Sequence, residues 1–300
     1  MDKPLVSICS TTYNLEKYIS LALDSWLSQK VNFSYEIVIS DDCSKDGTVE
    51  IVQQYIEKYP GIIKLHIGEK NIGMLPNFIK SLKLAKGKYI AVCDGDDYWI
   101  EENKLQLQID FLENNPDFSS CFTNSLVIDE STGITKIAKK DTWDIANSEQ
   151  FLFHDDFRND NIPLSPGHIS SYVFRNYLLE YPEWFYKIDG VTDFPLYMMI
   201  SKFGLSKFLK IQTSVYLKHD KSNSNKDYEF VRLNKGRINI YKCVNQFFEG
   251  EYKGIIYPLI GKHYFKLLKY YFKRHAYLES FNSLIYTLFY DGSLILKTTK

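Results

Sequence analysis

No stretch of the 300-residue sequence approaches the ~18 uninterrupted apolar residues of a membrane-spanning helix. The N-terminal "MDKPLVSICSTTYN" lacks the apolar core behind a basic start that marks a secretory signal. Cysteines are few: Cys9, Cys43, Cys93, Cys121 and Cys243 are scattered, odd in number and free of CxxC spacing. That pattern fits reduced thiols better than a disulfide framework or a zinc site. Neither charge is in excess, since 36 Lys and Arg against 37 Asp and Glu leave a formal net charge of −1, which argues against a nucleic-acid partner. Internal repeats and low-complexity segments are also lacking. Together these absences predict a cytoplasmic protein.

What is present is a large supply of core. Hydrophobic residues make up 45% of the chain and charged residues 24%, ordinary values for a globular protein. Aromatics are high at 16%; such rings fill cores and also line sugar sites and membrane interfaces. The first half alternates short apolar runs with helical patterns. "LVSICS" (5–10), "EIVIS" (36–40), "IIKLHIG" (62–68) and "YIAVCD" (89–94) read as strands. Between and after them, 14–29, 46–59, 75–87 and 101–115 read as helices, the first burying Tyr18, Leu21, Ala22, Ser25 and Trp26, and the third stopped by Gly87. This is the rhythm of βαβ units on a parallel sheet. Further on, 118–129 reads as a strand, 168–176 as a strand with a polar approach, 207–225 as a strand running into a Ser/Asn-rich loop, 130–141 as a polar loop or hairpin, and 191–204 as a capped helix. From 228 onward the pattern is helical and aromatic.

In an open parallel sheet, ligands sit beyond the carboxyl ends of the strands. "STTYN", "SDDCSKDGT", "GEKNIG" and "DGDDYW" each follow a strand, so all four are expected on one edge. The last is the most demanding, because Asp94, Asp96 and Asp97 place three carboxylates in four positions. Such a cluster suits a divalent cation with oxygen ligands, leaving positions for a diphosphate, and in isolation reads equally as a solvated acidic turn. In "SDDCSKDGT", Asp46 reads as a cap for the following helix and one of Asp41 or Asp42 as a ligand to a base. "STTYN" offers hydroxyls, a ring and the Asn14 amide, with Thr12 or Asn14 equally readable as helix caps.

Taken in order, "PLVSICSTTYN", "EIVISDDCSKDGT" and "NIGMLPNFIKSLKLAKGKYIAVCDGDDYW" resemble the family 2 glycosyltransferases, whose nucleotide-sugar domain has the GT-A fold. The resemblance covers about residues 3–130 and continues more weakly to about 225. It implies an α/β, Rossmann-like, mostly parallel sheet flanked by helices over 1–225, with a helical C-terminal extension over 226–300. It implies donor binding by Thr11, Tyr13, Asn14, Asp41, Asp42, Asn71, Asp94 and Asp96, with Asp42 on a uracil and Asp96 toward the ribose. A divalent metal, Mn²⁺ or Mg²⁺, is implied at Asp97, with Asp96 and His219 as further ligands, the last from "VYLKHDKSNSN".

The same resemblance makes Asp193, in "VTDFPLYMMISKFG", a general base for inverting transfer, with helix capping as the plain alternative and Asp189 as its nearest rival. The QxxRW signature of processive synthases is missing, which favours transfer of a single sugar. The basic residue usual in the helix after the base is also missing, leaving that contribution open. The implied partners are a nucleotide-sugar donor, UDP-linked, and a glycan or polyprenyl-linked acceptor, in surface polysaccharide biosynthesis. The rivals are a catalytically inactive nucleotide-binding module, a sugar nucleotidyltransferase, for which a Gly-rich phosphate loop after the first strand is lacking, and a two-carboxylate glycoside hydrolase. The tail over 252–290 mixes Lys and Arg with aromatic and aliphatic residues at helical spacing. It suits peripheral association with an anionic membrane surface and equally suits packing on the catalytic domain.

Overall fold

A computed structural model describes residues 3–137, 145–146, 168–177, 180–188, 193–220 and 230–291. The chain divides into two compact units, each described by itself. Among the described residues, the first holds ten strands and four α-helices, and the second holds residues 183–188, 193–202 and the C-terminal helices.

The first unit opens with β1 (Val6–Thr12), α1 (Ile19–Leu27), β2 (Tyr35–Asp41), α2 (Thr48–Lys58), β3 (Ile63–Ile67), α3 (Met74–Leu84) and β4 (Tyr89–Val92). Then come β5 (Tyr98–Trp99), α4 (Lys104–Asn114), β6 (Phe118–Asp129), β7 (Ile134–Ile137), β8 (Ile145–Ala146), β9 (Val173–Arg175) and β10 (Leu205–Lys218). One sheet runs β3-β2-β1-β4-β9-β6-β10-β5, with β7 on β6 and β8 on β10. β1 to β4 are mutually parallel, while β9 is antiparallel to both β4 and β6. This is the expected α/β sheet, mixed but parallel where the sequence alternates strand and helix. Of the segment expected as a polar loop or hairpin over 130–141, residues up to 137 form a hairpin, since β7 pairs antiparallel with β6, and 138–141 lie outside the described residues.

The chain steps outward from β1 through β2 to β3, then returns to lay β4 on the other side of β1. The carboxyl ends of β1 and β4 therefore flank the topological switch point, the crevice where doubly wound sheets take ligands. Val6, Ile8, Ile37, Ile39 and Ala91 on the strands and Trp26 on α1 form a fully buried cluster. Each large side chain of this kind contributes about 1.5–3 kcal/mol by leaving water. Arg175 is spent on structure: its guanidinium donates to the Leu112 and Phe118 carbonyls and to the Tyr89 hydroxyl, satisfying the C-terminal end of α4.

Four local expectations are corrected. α1 starts at Ile19 instead of residue 14, because Asn14 adopts a left-handed conformation, φ 55°, that a helix cannot contain. Leu21 faces solvent at 47% exposure, and Ile19 and Leu23 take the buried positions instead. α3 ends at Leu84, and Gly87 is needed for close approach, since a Cβ there would lie 2.5 Å from the Ser7 nitrogen. Within 168–176 only Val173–Arg175 is strand; Ile169–Ser171 forms a 3-10 turn capped by His168.

The second unit contains a 3-10 turn (Glu183–Tyr186), α5 (Asp193–Ser201), α6 (Phe230–Phe247), α7 (Lys253–Lys273) and α8 (Tyr277–Asp291). α5 is apolar all round and buried beyond its first residue, with Phe194 edge-on to Tyr241 of α6. Among the described residues, no helix is long and apolar enough to cross a membrane.

Candidate functional site

The four strand-end segments meet at the carboxyl edge of the first unit. β1 and β2 finish in register, Thr12 beside Asp41, and the Thr12 hydroxyl donates to Asp41 Oδ2 at 2.8 Å. Asp41 is fully buried and also accepts from the Ser44 amide at 2.8 Å and the Ser44 hydroxyl at 2.5 Å. Its carboxylate thus shapes the turn after β2. Asp42 accepts from two backbone amides of the loop after β3, Ile72 at 2.7 Å and Gly73 at 2.9 Å, and so ties that loop to β2. The Asn71 side chain accepts from the same Gly73 amide at 3.1 Å. Asp46 accepts from the Thr48 amide at 3.1 Å just before α2, whose N-cap position is taken by Gly47, with no side-chain cap, instead of the expected Asp46.

The β1 end is held by the same loop. Asn14 Oδ1 accepts from the Lys45 amide at 2.7 Å, and the Asn14 amide donates to Ser44 Oγ at 2.9 Å. Tyr13, between these anchors, is 46% exposed, and Thr11 is half-buried beside it. The Thr11 carbonyl accepts from the Gly95 amide at 3.3 Å, which fastens the acidic segment to β1. Gly95 has no room for a side chain: a Cβ would lie 2.8 Å from Thr12 Cγ2 and 3.0 Å from Leu15 Cδ1. A side chain there would force Thr12, Leu15 or the turn itself to shift.

The carboxylates of the acidic segment have different surroundings. Asp94 and Asp96 are half-buried, whereas Asp97 is buried. Asp97 Oδ1 accepts from the Leu217 amide at 3.0 Å, and Oδ2 accepts from the Ser170 hydroxyl. Burial, with the nearby charges of Asp96 and Asp94, raises its pKa well above the carboxylate range. His168 Nδ1 stands 3.4 Å from Asp97 Oδ2, but burial lowers His168 to about 4, so the ring is neutral near pH 7. Its Nδ1 accepts from the Ser170 amide at 3.3 Å, and the ring stacks on Tyr216 at 4.2 Å.

Asp96 turns the other way, with Oδ2 3.0 Å from His219 Nε2. His219 follows β10, is 2% exposed, and stacks on Tyr18 with ring centroids 4.3 Å apart. The Tyr18 hydroxyl donates to Glu130 Oε2 at 3.0 Å; burial and that bond push its pKa up to about 12. Glu130, Tyr18, His219 and Asp96 thus form a continuous chain of contacts into the site. Among the described residues, no group of three or more His, Cys, Asp and Glu is arranged around one point for a metal. The two-atom pair of Asp96 and His219 is compatible with a cation of the Mg²⁺ type, which uses few protein ligands and completes its shell with water and phosphate. Asp97 is buried, and both its oxygens accept from the protein.

Asp193 is the first residue of α5 and is half-buried in the second unit; Asp189, its rival, and Thr192 lie outside the described residues. Four contributors escaped the sequence reading. Tyr18 lies on an apolar helical face in the sequence, His168 and Ser170 fall in the segment 168–176 that reads as a strand, and Glu130 opens a polar loop or hairpin. The polar start "HISS" of an otherwise apolar strand is the signal for His168 and Ser170.

Comparison with known proteins bears on this arrangement. The family description "Glycosyl transferase family 2" matches residues 7–177. The chain is 40% identical over 125 residues to an uncharacterised protein of Mycobacterium tuberculosis, covering 42% of this chain and 36% of that one. It is 37% identical over 134 residues to the putative teichuronic acid biosynthesis glycosyltransferase TuaG of Bacillus subtilis, covering 45% and 52% respectively. The matched region therefore spans about a third to a half of the length of these relatives. Among solved structures, residues 1–349 of S. aureus TarS in complex with UDP-GlcNAc superpose with a TM-score of 0.66 at 19% identity, covering 93% of this chain and 79% of that one. A mannosyltransferase from Pyrobaculum calidifontis, in complex with GDP-Man and Mn²⁺, gives 0.56 at 16% identity, with coverage of 82% and 65%. At these identities the likeness is one of fold.

Proposed function

The chain belongs to glycosyl transferase family 2, and from that premise we propose that it transfers one sugar from a nucleotide-sugar, UDP-linked, to a hydroxyl of a glycan or lipid-linked acceptor. The observation that carries this reading is the convergence of the acidic segment after β4 with the ends of β1 and β2 at the switch point of the sheet. Thr11, Tyr13 and Asn14 line the β1 end and Asp42 the β2 end, where a uracil ring and its N3–H find a polar edge. Asn71 shapes the loop beside them. Asp94 and Asp96 stand where a ribose and diphosphate would follow. Relatives named for teichuronic acid biosynthesis support surface polysaccharide as the product class.

A divalent cation, Mn²⁺ or Mg²⁺, would be held by Asp96 and His219 and would offset charge developing on the diphosphate leaving group. Asp97, which the resemblance makes a further ligand, also has a supporting part. Its hydrogen bonds to Ser170 and Leu217 fix the backbone that carries Asp96. Asp193 takes the proton of the acceptor hydroxyl while that oxygen attacks the anomeric carbon, which inverts its configuration. Purified protein with Mn²⁺ is expected to hydrolyse one UDP-sugar slowly and to bind UDP more tightly with the metal than without. GDP-sugar hydrolysis without UDP-sugar hydrolysis would overturn the uracil assignment; metal-independent UDP binding with no hydrolysis of any donor would make it an inactive binding module.

A further inference from the structure

The last helix of the second unit is packed inside out. α8 buries Ser280, Ser283 and Thr287, all small and hydroxylated, while Leu278, Phe281, Ile285, Leu288 and Phe289 are 47–71% exposed. These five follow helical spacing and form one outward stripe, the reverse of a helix packed against a core in water. The small inner residues allow close approach to α7. Ser280 Oγ lies 3.5 Å from the Leu268 carbonyl oxygen of α7, and a Cβ on Gly261 would stand 2.8 Å from Asp291 Cβ. Helix pairs within bilayers associate through small residues in this way, leaving large apolar side chains outside. A contiguous exposed apolar stripe marks an interaction surface, whereas scattered exposed apolar residues do not.

Charge selects what covers the stripe. Between Glu251 and Glu279 the chain has no acidic residue, but it carries Lys253, Lys262, Lys266, Lys269, Lys273 and Arg274. The turn from α7 to α8 joins the two characters at one end of the hairpin. Phe272, Tyr277 and Leu278 are 64–71% exposed there, beside the exposed Lys273 and Arg274. Arg274 lies over the Tyr270 ring, 3.9 Å from its centroid. A second copy of this chain would bring the same cationic α7 and turn residues up against themselves, while α8 itself carries Glu279 and Asp291 and no basic residue. A bilayer with anionic headgroups complements both characters at once.

We propose that the α7–α8 hairpin seats this protein on an anionic lipid surface. The α8 stripe enters the headgroup–acyl boundary, and Lys269, Lys273 and Arg274 meet lipid phosphates. The inference does not depend on the nucleotide-sugar reading, and its test is separate from that of UDP binding.

The full chain is to be floated with vesicles of phosphatidylcholine alone and of phosphatidylcholine with about one-third phosphatidylglycerol. Binding to the anionic vesicles is expected to be tenfold or more tighter, and to weaken as salt screens the charges. Two triple variants, Lys269→Glu/Lys273→Glu/Arg274→Glu and Leu278→Gln/Phe281→Gln/Phe289→Gln, should each lose about tenfold or more in vesicle affinity, on the scale expected for three basic contacts. UDP affinity and thermal melting should not change in either. Equal binding to both vesicle types, no binding to either, or undiminished binding by both variants would overturn the proposal. A dimer seen by light scattering without vesicles, lost in the apolar variant, would assign the face to a second copy and equally overturn it.

Discussion

Asp96 Oδ2 lies 3.0 Å from His219 Nε2, across 123 residues of sequence, and the His219 ring is held flat against Tyr18. If this pair holds the cation, removing the imidazole weakens metal binding more than nucleotide binding. His219→Ala is expected to raise the Mn²⁺ concentration for half-maximal donor hydrolysis by about tenfold or more, the range in which loss of groups at or around a metal falls. UDP binding in chelator should be unchanged in calorimetry. An unaltered Mn²⁺ requirement would remove His219 from the metal site.

Ser170 supplies the hydroxyl that Asp97 Oδ2 accepts, in the dry part of the site. Ser170→Ala leaves that buried oxygen without its donor, a change that costs about 1–3 kcal/mol. The expected result is a lower midpoint in denaturant, together with weaker UDP binding in the presence of Mn²⁺, because the Asp96 backbone loses its anchor. A variant as stable as the parent would show that the hydroxyl contributes nothing to holding Asp97.

Gly95→Ala tests the close approach of the acidic turn to β1. The added methyl would meet Thr12 Cγ2 at 2.8 Å and the Thr11 carbonyl oxygen at 3.0 Å, so the turn must shift. Overpacking of this kind costs about 1–3 kcal/mol, and the displaced Asp94 and Asp96 should lower donor hydrolysis more than melting temperature suggests. Normal hydrolysis at normal stability would refute the need for glycine.

Most of the first unit could be read in advance because its signals are local. The runs at 36–40 and 89–94 are short, largely apolar stretches that end in polar turns, and β2 and β4 form over them. The acidic cluster was legible as a cluster, but its inequality was not. Asp97 differs from Asp96 through Ser170 and Leu217, contacts 73 and 120 residues away that no spacing rule reveals. Tyr18 read as core because it shares a helical period with Trp26, yet its ring faces His219. The start of α1 was misjudged for a related reason. Asn14 is spent on the Lys45 amide of the next strand-end loop, and that tertiary bond overrides a helical pattern.

Lys104 gives a pH-dependent prediction. Its ammonium is fully buried, donates to Gln108 Oε1 at 2.6 Å and lies 4.2 Å from the Trp99 ring centroid. Burial lowers its pKa from 10.5 to about 8. Between those values the unfolded chain holds a proton that the folded chain has released, so stability from this group rises with pH across that window. Below about pH 8 the folded state carries the full cost of the buried charge, about 3 kcal/mol from the size of the displacement. Lys104→Met should therefore stabilise the protein at pH 7, with the gain shrinking as pH approaches 10. A gain independent of pH would mean that packing, not charge, is responsible.

Asp193 opens α5, where a carboxylate is favoured by the helix dipole whether or not it does chemistry. Capping and catalysis therefore have to be separated by readout. A cap contributes about 0.5–2 kcal/mol of stability and leaves chemistry alone. A general base contributes about 10²–10⁴-fold to the rate of proton transfer and little to donor binding. Asp193→Asn retains a capping side chain but cannot take a proton. It is expected to keep the parental UDP affinity and to lose no more than about 0.3–1 kcal/mol of stability, the share of the helix dipole, while losing about a hundredfold or more in transfer to acceptor. Asp193→Ser, which caps as well, should behave identically. If either variant transfers sugar at the parental rate, the base is another residue and Asp193 is a cap.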